Sequence, residues 1–382
     1  MKEEVFGREL RANPVYELVL SDRLEPELRR SLADLEKDPG FYGVLRSRSA
    51  PGTGLKAVDR DTALLFLTLR EPGPLPSYVR RISDAADTVA RLVADGVLEI
   101  ASEDGFVSGA AAFDLLWEEG SEGQGGGRLA ALSVAALRYG QTLTVDDPLR
   151  LSLRLYGYNR RPLTPAWKRL LPDAEAVERH LGIGPGGPHR RLLDQEWVRT
   201  GPSGPSASWL SWRLRGEGGS RSAGGTWKLY VSPQPEALAE GFGRILEALT
   251  AALTPQLKIG SSAAGLLRPD KLVAYYPGFE RLAAAADAVA ERLAGTPAQG
   301  VPFTSEIAGG GLLSWGVDPP PEGSWSGGES WRLWLTHRLA TALLAGRTAE
   351  GVEPWRFALE RLRLEGVDTN SWTPGARLFR DG

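Results

Sequence analysis

Between Thr226 and Leu293 the sequence switches repeatedly between the two-residue period of a strand and the 3.6-residue period of a helix, and that succession constrains the fold most. Thr226-Trp-Lys-Leu-Tyr-Val231 alternates, so a strand there sets Trp227, Leu229 and Val231 on one face and Lys228 with Tyr230 on the other. Leu238, Phe242, Ile245, Leu249 and Leu253 then recur at three and four residues, a helical stripe able to cover the apolar face. Gln256-Leu-Lys-Ile259 returns as a strand whose Leu257 and Ile259 meet the helix, which turns Lys258 to the side of Lys228. A third strand, Lys271 to Tyr276, groups Lys271, Val273 and Tyr275, and Phe279, Leu282, Ala286, Val289 and Leu293 mark a second helix. The predicted unit is a sheet covered by helices on one face and lined with lysines and tyrosines on the other.

Composition narrows what that lysine face can do. The chain of 382 residues has no cysteine, which excludes disulfides, a thiol nucleophile, thiolate zinc and iron–sulfur clusters. Its three histidines, His180, His189 and His337, lack metal-ligand spacing, so neither a metal nor another cofactor is expected. A net charge of −3 gives no global attraction for nucleic acid or an anionic membrane. Neither a segment of signal-peptide length nor a membrane span is visible, and a cytoplasmic location is expected. Lysine is scarce, at residues 2, 37, 56, 168, 228, 258 and 271. Single strand lysines ordinarily serve a solvated face. Three of seven in one short unit, beside two tyrosines and the glycine- and hydroxyl-rich loop Gly260 to Asp270 with Arg268, favour a site for an anion.

The rest of the chain divides at glycine-rich stretches. Gly120 to Gly127 reads as a linker and separates residues 1–119 from 128–208, a mostly helical connector; an α+β domain with an antiparallel or mixed sheet covered by helices follows over 209–382. Thr200 to Ser208 and Gly216 to Gly225 bracket the tryptophan strand Trp209 to Arg215 as loose loops. Before the linker, an amphipathic start over Val15–Leu35 precedes a helix at Thr62–Leu69, a second helix carrying Val89, Leu92 and Val93, and a hairpin through Val97–Ile100 and Phe106–Ser108. The phrase "RLVADGVLEIASEDGFVSG" resembles the last helix and wing of a winged-helix domain, a scaffold that binds DNA or, in peptide-modifying pathways, leader peptides. Near the end, Trp331, Leu335, Leu339 and Leu343 make a helical stripe, Arg332 and Arg338 of the same helix are six apart and do not share an interior face by spacing alone, and a further helix and an aromatic strap close the chain.

The order of a Lys228 strand, a helix, "LKIG" with Lys258, a loop with Arg268 and a strand with Tyr275 resembles the phospho-Ser/Thr lyases. These include the phosphothreonine lyase effectors, the lyase domains of class III and IV lanthipeptide synthetases, and the HopA-type family that acts as separate lyases in class V lanthipeptide and thioamitide pathways. The resemblance covers roughly residues 209–345. It implies metal-independent β-elimination of phosphate from phosphoserine or phosphothreonine in a precursor peptide. Lys258 would remove the α-proton, Arg268 and Tyr275 would attend the phosphate, and Arg332 or Arg338 would stand for later phosphate-binding arginines. Lys271 and Tyr230 join the expected substrate-binding set. The family's acid is commonly a histidine on the preceding strand; here Lys228 occupies that strand, and the acid stays open. No GxxxxGK[ST], HRD, DFG or GxSxG motif occurs, so a separate kinase is expected to prepare the substrate, with the N-terminal domain holding its leader. Two other readings fit the same residues: a non-catalytic peptide- or partner-binding protein, and a winged-helix regulator. Against the latter, the would-be recognition helix Asp84–Ala94 offers Arg91 after Arg80 and Arg81 among Asp84, Asp87 and Asp95.

Overall fold

The computed structural model describes residues 5, 7–33, 35, 38–48, 55–79, 85–117, 126–201, 208–216, 226–319, 329–375 and 378. Most of Gly120–Gly127, Thr200–Ser208 and Gly216–Gly225, together with Arg80, Arg81 and Asp84, lies outside the described residues. The fold is α+β, and each paired strand meets its neighbours in antiparallel register.

The predicted strand–helix–strand–strand–helix unit forms the centre of a seven-stranded sheet. Its spatial order is Ser305–Ala308, Leu313–Val317, Trp227–Val231, Leu272–Tyr276, Gln256–Gly260, Trp209–Leu214 and Trp197–Thr200. The Tyr275 strand inserts between the two lysine strands, with Lys228 opposite Tyr275, and Val273 opposite both Tyr230 and Lys258. Residues directly opposite one another share a face. Lys228, Tyr230, Val273, Tyr275 and Lys258 therefore emerge on the same side, and Ser211, opposite Lys258, brings Trp209 to that side as well.

The other face is apolar. Leu229, Val231, Leu257, Ile259, Leu272 and Ala274 are buried against the helices Pro235–Ala251 and Phe279–Arg292, whose inward stripes are the predicted ones save for Leu253, which lies past its helix and is exposed, and Phe279, which is exposed at the start of its own. Lysines and rings thus stay on the face these helices leave uncovered.

Two further cores surround this one. Residues before 118 form a core of their own, which also receives Phe357. The helices Arg128–Thr142 and Pro148–Tyr156 pack with Trp331–Gly346 and Pro354–Leu364 in a third. The connector expected over 128–208 is accordingly shared out: Ala136, Leu137, Leu151 and Leu155 join the C-terminal helices, while Val177, Leu181, Leu193 and Trp197 enter the sheet's core.

Among the N-terminal elements, the helices Arg60–Thr68 and Ala85–Ala94 and the hairpin Leu98–Ser102/Gly105–Val107 stand where the pattern puts them. Val15–Leu35, read from the sequence only as amphipathic, holds two elements: Tyr16–Leu20 is a strand paired with Phe41–Ser47, and Pro26–Ser31 is a single short helix. Pairing across a long sequence separation supplies backbone hydrogen bonds that local spacing cannot anticipate, and Pro26 fits only a first turn.

Candidate functional site

The uncovered face concentrates cations around two rings. Lys258 Nζ sits 4.4 Å from the Trp209 ring centroid and 5.2 Å from that of Tyr275, whose ring also lies 5.6 Å from Lys228 Nζ. Arg268 stacks on the far neighbour, its guanidinium carbon 4.9 Å from Trp209. Aromatic faces stabilise the positive groups without neutralising them. Lys228 is nearly buried and ion-paired to Asp318, which also accepts from the Trp331 amide at 3.0 Å and so ties the start of the helix Trp331–Gly346 to this face. That helix can approach because residue 316, opposite Lys228, is glycine: a Cβ there would lie 2.7 Å from the Trp331 ring.

The loop after Lys258 supplies the arginine. A Cβ on Gly260 would meet the Gly265 carbonyl carbon at 2.5 Å, so the loop folds back on itself only because both positions are glycine. Ser262 caps the short helix Ala263–Leu266, and the chain then delivers Arg268 and Asp270. Asp270 is the hub. It accepts from Arg268 Nε and Nη2 at 2.8 Å each, from Arg332 Nη1 at 2.9 Å and from the Tyr156 hydroxyl at 3.0 Å. Arg332, fully buried, also donates to the Pro302 and Tyr156 carbonyls. One buried carboxylate with two guanidinium partners is stable as a set and costly to break singly.

Protonation follows from this layout. Burial, then the neighbouring Lys228 and Arg268, pull Lys258 from 10.5 down to about 8, against the opposing pull of Asp270 and Asp318. Burial would raise Asp270, yet Arg332 and Arg268 hold its carboxyl well below the usual range. Arg268 is raised by Asp270 in spite of burial. The phenols of Tyr156, Tyr230 and Tyr275 are pushed up chiefly by burial, so each is a proton-bearing donor near neutral pH.

Of the residues predicted from sequence, Lys258, Lys228, Tyr275, Tyr230 and Arg268 come together. Arg332 reaches the cluster through Asp270 rather than through its open side. Two stand apart. Lys271 is fully buried, its ammonium donating to the Pro233 carbonyl at 2.9 Å and to Gln299 Oε1 at 2.6 Å. Alternation assigns it to the Tyr275 face, but it precedes the first strand residue, Leu272, where the pleat no longer dictates direction. Arg338 lies six residues past Arg332 on another side of the helix, over the Trp334 ring at 3.7 Å and ion-paired to Glu365 at 2.8 Å.

Four participants were not anticipated: Trp209, Tyr156, Asp270 and Asp318. Asp270 and Asp318 flank strands already identified, and a demand for counter-ions to several buried cations would have singled them out. Tyr156 arrives from a helix more than a hundred positions earlier, and no local pattern announces it. Chemically, the cluster pairs an amine that is partly neutral at physiological pH with fixed cations and phenols, a setting for removing a proton beside an anionic leaving group. Among the described residues, no group of three or more His, Cys, Asp or Glu side chains could hold a metal ion. No described helix is long and apolar enough to cross a membrane.

No protein-family model matches the sequence, and no curated protein matches it. Among solved structures, an effector protein from Pseudomonas syringae pv. syringae strain 61 is similar at 12% identity and a TM-score of 0.41 over 65% of this chain and 99% of that one. An effector from P. syringae pv. tomato strain DC3000 is similar at 10% identity and a TM-score of 0.39, over 64% and 97%. The Chromobacterium violaceum VirA (SpvC) phosphothreonine lyase effector is similar at 13% identity and a TM-score of 0.26, over 37% and 77%. All three similarities are remote.

Proposed function

We propose that this chain eliminates phosphate from phosphoserine or phosphothreonine in a precursor peptide, without metal, leaving dehydroalanine or dehydrobutyrine. The observation that carries the proposal is Lys258: an amine brought down to about 8, between two rings, with Lys228 and Arg268 beside it. A lysine left at its ordinary value would be almost entirely protonated at neutral pH and unable to act as a base.

In the proposed step, neutral Lys258 takes the Cα proton of the phosphorylated residue. The C–H electron pair becomes the Cα=Cβ bond as the Cβ–O bond breaks, and that bond's electrons leave on phosphate. Lys228 is assigned the proton the departing phosphate gains, with the Tyr275 phenol donating a hydrogen bond to it. Arg268 offsets the negative charge that grows on the leaving group; its Nη1 has no hydrogen-bond partner among the described residues, while Asp270 fixes its other nitrogens. Water then carries the proton from Lys258 to Lys228, which returns both amines to their starting forms. A separate kinase would prepare the peptide, and the reaction belongs to the dehydration stage of lanthipeptide- or thioamitide-type biosynthesis in the cytoplasm.

Mass spectrometry of phosphothreonine and phosphoserine peptides incubated with the chain in EDTA tests this. Loss of phosphoric acid in EDTA, falling about a hundredfold or more in folded Lys258→Ala, is expected. No elimination from any phosphopeptide, or full activity in Lys258→Ala, would overturn it; a folded chain that binds such peptides without changing them would be a binding protein.

A further inference from the structure

A cavity of about 590 Å³ lies apart from the Lys258 cluster, sharing no residue with it. Along one side runs the strand Lys56–Asp59, the last strand of a three-stranded sheet. Lys56, Ala57, Val58 and Asp59 all line the cavity. Side chains of a strand alternate between its faces, so four consecutive residues reach one cavity only along the strand's edge. Among the described residues no strand pairs with that edge, and its backbone N–H and C=O groups are open to one.

The opposite walls are charged. The helix Ala85–Ala94 contributes Arg91, with Asp95 just beyond it; Trp331–Gly346 contributes His337, Arg338 and Thr341; Pro354–Leu364 contributes Arg361, with Glu365 just beyond. Arg338 and Arg361 are spent on Glu365 and Asp95. Asp59, the remaining acid, accepts from the Thr62 amide and caps the helix Arg60–Thr68. Lys56 and Arg91 have no ion pair among the described residues, and Lys56 rests on the Tyr16 ring at 5.7 Å. With Lys56, Arg91, Arg338 and Arg361 against Asp59, Asp95 and Glu365, the lining keeps one net positive charge in a chain whose net charge is −3, and Lys56 and Arg91 are the cations not held in an ion pair.

We propose that this cleft binds an extended, acidic peptide segment, which adds a strand to the edge Lys56–Asp59 and sets its carboxylates against Lys56 and Arg91. Backbone pairing supplies affinity, and the two cations select the sequence. Naming the occupant as a non-reacting stretch of the enzyme's own peptide substrate rests on the function proposed above; the peptide site itself does not. The helix Trp331–Gly346 links the two places. It sends Arg332 into the Asp270 cluster and, about 10 Å further along its axis, His337, Arg338 and Thr341 into the cleft, so a few extended residues span the rise.

The test pans a phage-displayed random 12-residue peptide library against the full chain and titrates the enriched peptides, fluorescein-labelled, by anisotropy. Acidic sequences are expected, binding about tenfold or more weakly to the double variant Lys56→Glu/Arg91→Glu and unchanged to Lys258→Ala. Methylating alternate backbone nitrogens of the same peptides is expected to abolish binding, since it removes strand pairing and leaves the protein untouched. Enrichment of non-acidic sequences, equal affinity for the double variant with its thermal melt intact, or full affinity of the methylated peptides would each overturn the site. Binding that behaves as expected in a chain that eliminates nothing would keep the site and remove only its assignment to a substrate.

Discussion

Replacing Lys228 by methionine isolates the electrostatics of Lys258. The two ammonium groups stand 5.6 and 5.2 Å from the same Tyr275 ring centroid, which puts them no more than about 11 Å apart, so at an effective dielectric of about 20 each raises the energy of the other by at least about 1.5 kcal/mol, a little over one pK unit. Removing Lys228 also frees Asp318, whose carboxylate favours the protonated form of Lys258. Both changes act upward, and the Lys258 midpoint is expected to move from about 8 to about 9 or above. Competitive acetylation across pH, read lysine by lysine in the mass spectrometer, measures that midpoint directly and does not depend on turnover. Scarcity helps, because seven lysines give few peptides to resolve. A wild-type midpoint near 10.5, or a midpoint that Lys228→Met leaves in place, would refute the account of how this amine is brought toward its neutral form.

The remaining expectations separate positioning from chemistry. Asp270→Asn strips the shared partner from Arg268 and Arg332 and is expected to cost about 3–5 kcal/mol in a denaturant titration, with activity lost alongside. Because the folded value of Asp270 lies below its unfolded one, its contribution is present above pH ~4 and is lost as pH falls below that; the acid limb of a stability profile should flatten in Asp270→Asn. Lys271→Met leaves the acceptors on Pro233 and Gln299 unmet and should cost about 1–3 kcal/mol, with the Lys258 midpoint unchanged, as acetylation would show. In wild type, burial pulls Lys271 down to about 7, so its share of stability should rise with pH between 7 and 10.5, the reverse of a paired surface lysine. Tyr275→Phe keeps the ring beside both lysines and removes the phenol; a raised KM for phosphopeptides with an unmoved Lys258 titration is expected, and a shifted titration would place the phenol in tuning the base instead.

Much of the lysine face was legible because a strand's alternation is a local rule. Trp227–Val231 and Gln256–Gly260 each declare an apolar side, the amphipathic helices after them declare what covers it, and Lys228 and Lys258 are left on the other side in any sheet these strands build. The sequence cannot say which strands are neighbours. Inserting Leu272–Tyr276 between the lysine strands puts one tyrosine ring within reach of both ammonium groups, and pairing Trp209–Leu214 outside them puts Trp209 against Lys258 and Arg268. Alternation also fails at strand ends, where Lys271 turns into the interior.

By itself, then, the sequence determined the α+β class, the helix-covered sheet, the absence of thiol chemistry and the grouping of three lysines in one unit. Only the tertiary structure decided how far each of those lysines is drawn toward its neutral form. Burial and the fields of Lys228, Arg268, Asp270 and Asp318 fix the protonation of Lys258, and electrostatic energy depends on distances across strands and on exclusion of water, neither of which is encoded in the spacing of residues along a chain. The same holds for Tyr156, Asp270 and Arg332. They come from three separated stretches and make one hydrogen-bonded set only where a helix, a loop and another helix converge.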